Sequence, residues 1–332
     1  MSRVVLESAA LQVTVSPQVG GTITRIAHKA TGLSVLGTVP WQPVDAPLET
    51  VAAPDERTWL TRYTGGWPLL FPNGGDACAF GRSRHGFHGE ASISPWQAET
   101  DPDAGATRIR LTRRFETVPV SMEREIALDG DLVIVRESAL AEGPDLVTVM
   151  WGHHPTFGSD LLAGDFELQS GAGSISVDDA YDPPANPLLP GASGRWPLVP
   201  GKAGIIDLRH APRGSVAALA FLGDFAAPWI SIRRLDDAIA VTLSWDAQVF
   251  PYMWLWYELE GTPDAPWNGR ARLIGLEPNT TGSAAGLADA ARRGERLLVL
   301  QPGIPVHAEV RLHVCRPEGT VTGIDAVGRA RF

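Results

Sequence analysis

Short runs in which apolar and polar residues alternate dominate the chain and predict β-strands. The runs at 107–116, 121–128 and 131–140 (TRIRLTRRFE, SMEREIAL and DLVIVRESAL) follow one another closely, and Asp129-Gly130 separates the last two. Successive residues of a strand point to opposite faces, and Asp-Gly pairs favour two-residue hairpins. The three runs therefore predict an antiparallel meander with one face in water and one in the core.

Strand-like runs also occupy most of the remaining chain. They lie at 11–17, 21–28, 145–151, 215–221, 229–235, 238–245, 252–260, 271–277, 296–302 and 306–314. The glycine pair Gly20-Gly21 predicts a hairpin or bulged turn between the first two of these runs. Only 283–294 has a helical pattern, with Ser283 as the expected N-cap and Gly294 as the C-terminal stop. Ranges 38–80 and 178–204 are rich in Pro and Gly and predict long loops.

The composition shows no break that would mark a domain boundary. Although 332 residues is long for one domain, β-sandwiches commonly reach that size. We therefore expect an all-β fold, with residues 1–332 forming a single large antiparallel β-sandwich and one short C-terminal helix.

Charge and cysteine content exclude several classes of protein. The chain has 28 Lys and Arg against 38 Asp and Glu, a net charge of −10, and no basic tract, which argues against nucleic acid as a partner. Its two cysteines are too few for a disulfide framework or a four-cysteine zinc site. The N-terminus lacks a signal-peptide pattern, and no apolar run would span a membrane. We expect a soluble cytoplasmic protein.

Polar residues that could serve a ligand concentrate in the glycine-rich stretch 65–96. The stretch contains Trp67, Asn73, Asp76, Arg82, Arg84, His85 and His88. Polar side chains on loops held by a β scaffold are the usual components of a small-molecule site. The alternative is a solvated loop whose arginines pair with acids, and the density of His, Arg and Trp favours a binding function.

Two further stretches, GHHPTFG (152–158) and LIGLEPNTTG (273–282), carry candidates for proton transfer. In an extended chain His153 and His154 face opposite sides, so only one of them can serve a given site. Glu277 ends an apolar strand. The histidine spacings do not match a metal site, and the chain has no GxSxG motif that would indicate a nucleophilic serine. A histidine–glutamate acid–base pair is therefore the favoured chemistry.

Aromatic residues recur between 244 and 269 and include the row Tyr252, Trp254 and Trp256, which share one strand face. We expect most of that row to lie in the core and one aromatic side chain to face a ligand. The chain contains 11 Trp, and core packing accounts for most of them, although flat rings also serve as platforms for sugars.

The chain contains four short motifs along its length: HGF (85–87), HPTF (154–157), LEPNT (276–280) and LQPG (300–303). In their order and spacing they resemble motifs of the aldose 1-epimerases, or galactose mutarotases. The resemblance extends over nearly the whole chain. It implies a galactose mutarotase-like supersandwich, a free aldose as the small-molecule partner, no cofactor and no metal. The implied activity is an isomerase reaction that interconverts α and β anomers by general acid–base ring opening.

The resemblance also implies roles for individual residues. Glu277 corresponds to the catalytic base, His154 to the catalytic acid, and His85 to a substrate-binding histidine. Asn73 or Arg82 stands where the family places a residue on the sugar hydroxyls. We add Asp76 and Trp67 as substrate-binding candidates from the same loop.

Several departures from the family pattern indicate a divergent branch. FPNGGDACAFGRSRHGF replaces the usual GR-x-A-N-R-I signature, and His153 stands where an asparagine is usual. For the family's substrate-binding aspartate, Asp224 and Asp246 are both candidates, and we carry Asp246 forward. Arg62, Arg82 and Arg84 are candidates for holding an anionic substituent of the sugar.

The sequence leaves three functions open. The first is a mutarotase, the second a non-catalytic carbohydrate-binding protein of the same fold, and the third a metal-dependent isomerase. Either of the first two is compatible with a monomer or a homodimer.

Overall fold

The computed structural model describes residues 3–43, 53–100, 105–210 and 213–332, and most regular structure in these ranges is β-strand. The first strands are β1 Val4–Glu7, β2 Leu11–Ser16, β3 Thr22–His28, β4 Leu69–Leu70, β5 Cys78–Phe80, β6 Ser83–His85, β7 Gln97–Thr100, β8 Arg108–Arg114 and β9 Val120–Asp129. Then follow β10 Leu132–Ala141, β11 Val147–Val149, β12 Gly152–His153, β13 Thr156–Phe157, β14 Phe166–Ser170, β15 Ser174–Val177, β16 Ser193–Gly194, β17 Leu198–Gly201 and β18 Gly204–Asp207. The last are β19 Val216–Gly223, β20 Trp229–Arg234, β21 Ala240–Trp245, β22 Tyr252–Leu259, β23 Arg272–Asn279, β24 Leu298–Leu300, β25 Val306–Cys315, β26 Gly323–Ile324 and β27 Ala330–Arg331.

Two large antiparallel sheets form the body of the fold. The first, which we call the outer sheet, has the strand order β14-β20-β21-β25-β10-β9-β8-β7. The second, the site sheet, has the order β16-β15-β19-β22-β23-β12-β4, and β13 also pairs with β23. Buried apolar residues from both sheets form one continuous core. The predicted antiparallel β-sandwich is confirmed.

The outer sheet has one wet face, as its alternating sequence predicts. Along β9 buried and partly exposed residues alternate at almost every position. On the wet face Arg136 of β10 lies between Glu125 and Glu309 on its two neighbouring strands, with nitrogen–oxygen distances of 2.9 and 2.8 Å. Exposed ion pairs of this kind contribute little to stability but keep the face polar.

The central strands of the site sheet are buried on both faces. All eight residues of β19 are buried, and so are nearly all residues of β22 and β23. One face packs into the core through Met253, Leu255 and Tyr257, while Trp254 belongs to a second apolar cluster on the opposite face. A sheet covered on both sides leaves room for an enclosed site on the side away from the core.

The predicted turns are close to those observed. Gly20 and Gly21 connect β2 to β3 with φ of 67° and 56°. The hairpin between β9 and β10 is also present, but its loop is Gly130-Asp131, because Asp129 pairs with Leu132. Gly130 has a φ of 60°, which is the conformation that the first position of a type II′ turn requires.

The helices differ from the prediction. The C-terminal helix, α2, spans only Leu287–Arg292 and has Gly286 rather than Ser283 as its N-cap. The Ser283 hydroxyl instead lies 3.2 Å from an Asp289 carboxylate oxygen. A second helix, α1 Glu56–Leu60, begins at the N-cap Asp55, whose side chain accepts from the Thr58 amide. It lies in the range 38–80 that was predicted as a loop, of which 44–52 are outside the described residues.

A charged network lies in the core between the two sheets. Arg124 of β9 occupies an inward position and pairs in register with Glu137 of β10, with 3.2 Å between Nε and Oε1. The second oxygen of Glu137 accepts from Trp151 Nε1 at 3.0 Å and lies 3.2 Å from His153 Nε2. Trp67 Nε1 donates to His153 Nδ1 at 3.1 Å, so the imidazole proton is on Nε2, facing Glu137.

This network holds a carboxylate in its charged form inside an apolar core. Burial alone would raise the pKa of Glu137, but His153 and Arg124 outweigh that effect and lower it. Burial lowers the pKa of Arg124, and Glu137 opposes the shift. Each charge is therefore stable only in the presence of the other, and together they connect a strand of the outer sheet to β12 of the site sheet.

No helix in the described ranges is long and apolar enough to cross a membrane. That residues 1–332 form a single domain stays a prediction.

The buried pair generates a prediction about stability. Substituting Arg124→Met leaves the Glu137 carboxylate buried without its cation, and we expect a loss of about 3–5 kcal/mol in the free energy of unfolding. Arg136→Met, on the wet face of the neighbouring strand, is the matched control and should cost about 1 kcal/mol or less. Chemical denaturation measures both, and equal losses would contradict a special role for the buried pair.

Candidate functional site

A cavity of about 340 Å³ lies on the face of the site sheet that points away from the core. This volume is at the lower end of the range usual for small-molecule sites. Aromatic side chains form much of its wall: Trp59, Tyr63, Phe87, Tyr181, Trp254, Trp256 and Trp267. Polar side chains enter between them, among them His88, His154, Asp178 and Glu277. A cavity with apolar walls and a few convergent polar groups is the usual form of a ligand site.

Strand alternation brings His154 into this cavity. It follows β12, in which His153 points into the core network, so the next side chain must take the opposite direction. The His154 amide donates to the Pro68 carbonyl at 3.0 Å, and Thr156, two residues on, pairs with Gly275 of β23. The bond to Pro68 and the pairing with Gly275 fix the backbone at and after His154.

Glu277 reaches the same cavity from β23. It lies opposite Trp254 of β22 in the register of the site sheet. Its Oε1 is 3.5 Å from Nδ1 of His154, and the two residues are 2% and 5% exposed. The structure thus brings together the two residues that the sequence proposed as a proton-transfer pair.

Burial sets the protonation of this pair. It lowers the pKa of His154 to about 4 and raises the pKa of Glu277 well above 4.5. Both shifts disfavour the charged form, because apolar surroundings solvate charge poorly. The favoured state is a neutral imidazole beside a neutral carboxyl group, and this pair has one proton that can be donated and one nitrogen that can accept.

Thr156 and Tyr63 hold the imidazole ring in place. The Thr156 hydroxyl lies 3.0 Å from Nδ1 of His154 and 2.7 Å from the Tyr63 hydroxyl. All three residues are buried, and burial raises the pKa of Tyr63, so the phenol stays neutral and serves as a hydrogen-bonding group. Since Nδ1 faces these partners, Nε2 is the nitrogen of His154 left for a ligand.

His88 is a second histidine at the cavity. Its Nδ1 accepts from the Gly75 amide at 2.9 Å, so its proton is on Nε2, which has no hydrogen-bond partner within the described ranges. The ring lies edge-on to His154, with 5.4 Å between centroids. Burial and the proximity of His154 lower the pKa of His88 well below its usual value, which makes it a neutral N–H donor.

The sequence had selected His85 for this role. His85 is buried but does not line the cavity, because it ends β6, two residues before the loop reaches the site at Phe87. His88 has a φ of 56°, a conformation that is uncommon outside glycine and clusters at functional sites. His88 is the second histidine of the HGFH motif, but no feature of the local sequence favoured it over His85 as the residue at the site.

Among the other predicted substrate-binding residues, only Asp76 lines the cavity. Asn73 is fully buried, and its amide nitrogen donates to the carbonyls of Asp76 and Gly86 at 2.8 and 2.9 Å. Its oxygen accepts from the Leu287 amide at 2.8 Å. Asn73 therefore holds the loop against α2 and has no free group for a sugar.

Trp67, Arg82 and Asp246 also lie away from the cavity. Trp67 is fully buried against His153 in the core network. Arg82 is exposed at the turn between β5 and β6, and neither Arg62 nor Arg84 lines the cavity. The Asp246 carboxylate accepts from the Gln248 amide at 2.9 Å and so stabilises a turn. The structure does not bring these residues to the candidate site.

The sequence missed Asp178, which lies between the histidine and glutamate motifs along the chain and lines the cavity. One of its oxygens accepts from the amides of Ala180 and Tyr181 at 2.9 and 2.6 Å. This fixes the carboxylate at the end of β15. Asp224, the other aspartate considered, is exposed and does not line the cavity.

The geometry gives no support to a metal centre or a disulfide. Across the ranges that the structure describes, no three His, Cys, Asp or Glu residues are arranged so that they could hold a metal ion. Cys78 and Cys315 are both free thiols.

The fold and this site define the chain as one with the galactose mutarotase-like fold. The Slr1438 protein of Synechocystis sp. PCC 6803 is 18% identical with a TM-score of 0.67, and the match covers 95% of this chain and 96% of that one. A candidate aldose 1-epimerase of Escherichia coli K12 is 16% identical with a TM-score of 0.66, covering 95% and 99%. A galactose mutarotase related enzyme of Lactobacillus acidophilus is 14% identical with a TM-score of 0.61, covering 96% and 99%.

These likenesses confirm the fold that the sequence resemblance implied. At such identities they show the fold alone. No protein-family model and no curated protein sequence matches the chain. The divergence that the altered motifs indicated is therefore considerable.

Burial of Glu277 predicts a pH-dependent effect on stability. A raised pKa means that the folded protein favours the protonated carboxyl, so its contribution to stability is full below pH 4.5 and is lost as the pH rises through the folded pKa. Glu277→Gln keeps the shape without the charge. We expect the variant to be more stable than the parent at neutral pH, with a difference that vanishes below pH 4.5.

Urea denaturation over a pH series measures this difference. Glu318→Gln, at an exposed position, is the matched control and should show no such trend. A Glu277→Gln variant that is less stable than the parent at every pH would contradict the effect of burial on this carboxyl.

Proposed function

We propose that the protein is an aldose 1-epimerase, a mutarotase that interconverts the α and β anomers of a free sugar by acid–base ring opening. The observation that carries the proposal is the contact between two buried proton-exchanging groups, His154 and Glu277, at 3.5 Å in an aromatic cavity. The fold supports it, because the solved structures of similar shape include a galactose mutarotase related enzyme.

The reaction requires one acid and one base at the same time. In ring opening, the base takes the proton from the hydroxyl on C1, a carbonyl forms at C1, the bond from C1 to the ring oxygen breaks, and the acid protonates that oxygen. After rotation about the C1–C2 bond the steps run in reverse and the ring closes on the other face. The proton balance is zero over the cycle, so no cofactor is consumed.

Glu277 and His154 meet this requirement as a pair. In the family that the sequence resembles, the glutamate is the base and the histidine the acid in ring opening. Microscopic reversibility exchanges these roles in ring closure, so the pair needs only to hold one transferable proton between its two members. The neutral pair favoured by burial holds that proton on Glu277, which is the state reached after ring opening and the one from which ring closure starts. An acid or base positioned in this way typically increases the reaction rate by about 10²–10⁴-fold.

The other residues of the cavity suit a sugar. Indole rings at Trp59, Trp254 and Trp256 provide flat apolar surfaces for the C–H face of a pyranose. The Nε2–H of His88 would donate to a ring substituent, and the Asp178 carboxylate would accept from hydroxyl groups. Neutral donors and acceptors around an aromatic wall are the usual means of orienting a ligand.

Anomer exchange tests the proposal directly. We expect the protein to accelerate exchange of at least one fresh anomer from a panel of aldoses, followed by optical rotation or NMR. Glu277→Gln and His154→Gln should each lower the rate by about 10²–10⁴-fold, because each removes one partner of the proton transfer. Glu318→Gln and His307→Gln, at exposed positions, are the matched controls and should leave the rate unchanged.

Two outcomes would contradict the proposal. If the parent accelerates no sugar but binds one in calorimetry, the protein is a non-catalytic carbohydrate-binding protein of this fold. If exchange is accelerated but neither substitution slows it, the reaction takes place at another site.

A further inference from the structure

The charge of the cavity wall is one-sided. The carboxyl groups of Glu56, Asp76, Asp178 and Glu277 line it, whereas its described lining contains no lysine or arginine. Because burial favours the neutral form of Glu277, the negative charge comes from the other three. The two histidines at the wall do not compensate, because burial lowers the pKa of both His88 and His154. An empty cavity with these side chains has a negative potential at neutral pH.

Two acids at the wall, Glu56 and Asp76, lack the basic partners that acidic residues just outside the cavity have. Just outside the cavity, Arg293 binds both oxygens of Asp179 at 2.9 Å and contacts Asp289. Glu56 and Asp76 make no ion pair with any residue within the described ranges. Burial first, and then repulsion from Asp178 and Asp289, raise the pKa of Asp76, and burial and then Asp76 raise the pKa of Glu56.

A second, independent feature shows that this wall is built to receive a ligand. His88 is 8% exposed, lines the cavity and offers an Nε2–H with no partner among the described residues. Glu277 is 2% exposed at the same wall. The Nε2–H of His88 is thus a hydrogen-bond donor at the cavity wall that a bound ligand would engage.

The aromatic side chains add to the attraction of positive charge. Tyr181 lines the cavity with Trp256 and Trp267, whose ring centroids are 5.6 Å apart. Faces of indole and phenol rings attract cations, and this attraction is strongest where water is excluded. Carboxylates and aromatic faces in one cavity are a favourable environment for an ammonium group.

We infer that the cavity selects its sugar by charge: it binds an aldose that bears an ammonium group in preference to a neutral aldose, and it excludes phosphorylated and carboxylated sugars. This inference rests on the proposed function only for the statement that the ligand is an aldose. It also means that the arginines considered as an anion site from the sequence do not hold one here.

A set of sugars that differ in charge tests the inference. Binding of glucosamine, glucose, glucose 6-phosphate and glucuronate is measured by calorimetry at low salt, at a pH at which the amine is protonated. We expect glucosamine to bind at least about tenfold more tightly than glucose, and the two anionic sugars more weakly than glucose, because like charges in a desolvated site repel strongly. N-acetylglucosamine, whose substituent is uncharged, should lose the advantage of the free amine.

Substitutions assign the effect to the wall. Glu56→Gln and Asp76→Asn should each reduce the ratio of glucosamine to glucose affinity several-fold, and salt should reduce it in the parent. Glu318→Gln removes the same charge at an exposed position in the bend after β25 and should not change the ratio. This control separates a local effect of the cavity from the net charge of the protein.

The outcomes distinguish this inference from the proposed function. Equal affinity for sugars of every charge, or tightest binding of the phosphorylated sugar, overturns the charge selection, even if anomer exchange is accelerated. The expected order of affinity without any acceleration supports the charge selection and overturns the mutarotase. If none of the four sugars binds, the charge selection is overturned, and anomer exchange over the full panel of aldoses decides the mutarotase separately.

Discussion

The ion pair between Arg124 and Glu137, with His153 on the other oxygen of that carboxylate, is the interaction on which the site depends. It lies in the core between the two sheets, at distances of 3.2 Å on both sides of Glu137. A carboxylate at this depth requires partners, and His153 is fixed as one of them. Once His153 points inward, strand alternation makes His154 point outward into the cavity.

The site contains two buried titratable groups that lower the stability of the fold, in contrast to the paired charges of the core. Glu277 and His154 are buried at the wall without a strong counter-charge, and each has its pKa moved toward the neutral form. Groups of this kind lower stability in the empty protein and are typical of functional sites, where shifted pKa values serve proton transfer. The Arg124–Glu137 pair shows the opposite arrangement, in which each buried charge has the other as its counter-charge.

Much of the fold and the central pair could be predicted from sequence, because both follow from local rules. Alternation predicted the strands, the Gly20-Gly21 turn was correct, and the hairpin loop after β9 was displaced by one residue. His154 and Glu277 could be found because a resemblance fixed their positions. Long-range packing determined the rest: His85 and His88 differ only in which one the loop carries to the cavity. Asn73 has the composition of a ligand-binding residue but serves the backbone of its own loop.

The row Tyr252, Trp254 and Trp256 shows a similar limit. Sequence spacing placed the three on one face, but the expectation that most of the row lies in the core was wrong, because this face is the wall of the site and both Trp254 and Trp256 line the cavity. Asp178 was missed because it lies in a stretch read as a loop, without a motif. Helix α1 was missed because the surrounding Pro and Gly outweigh a helix of only five residues.

A crystal structure of the Glu277→Gln variant with a bound aldose tests the central claim most directly. If His154 and Glu277 act on the hemiacetal, the C1 hydroxyl should lie within about 3.2 Å of the side chain at position 277, and the ring oxygen within a similar distance of His154 Nε2. The apolar face of the sugar should contact the indole rings. A sugar bound with C1 and its ring oxygen away from both side chains would contradict the account.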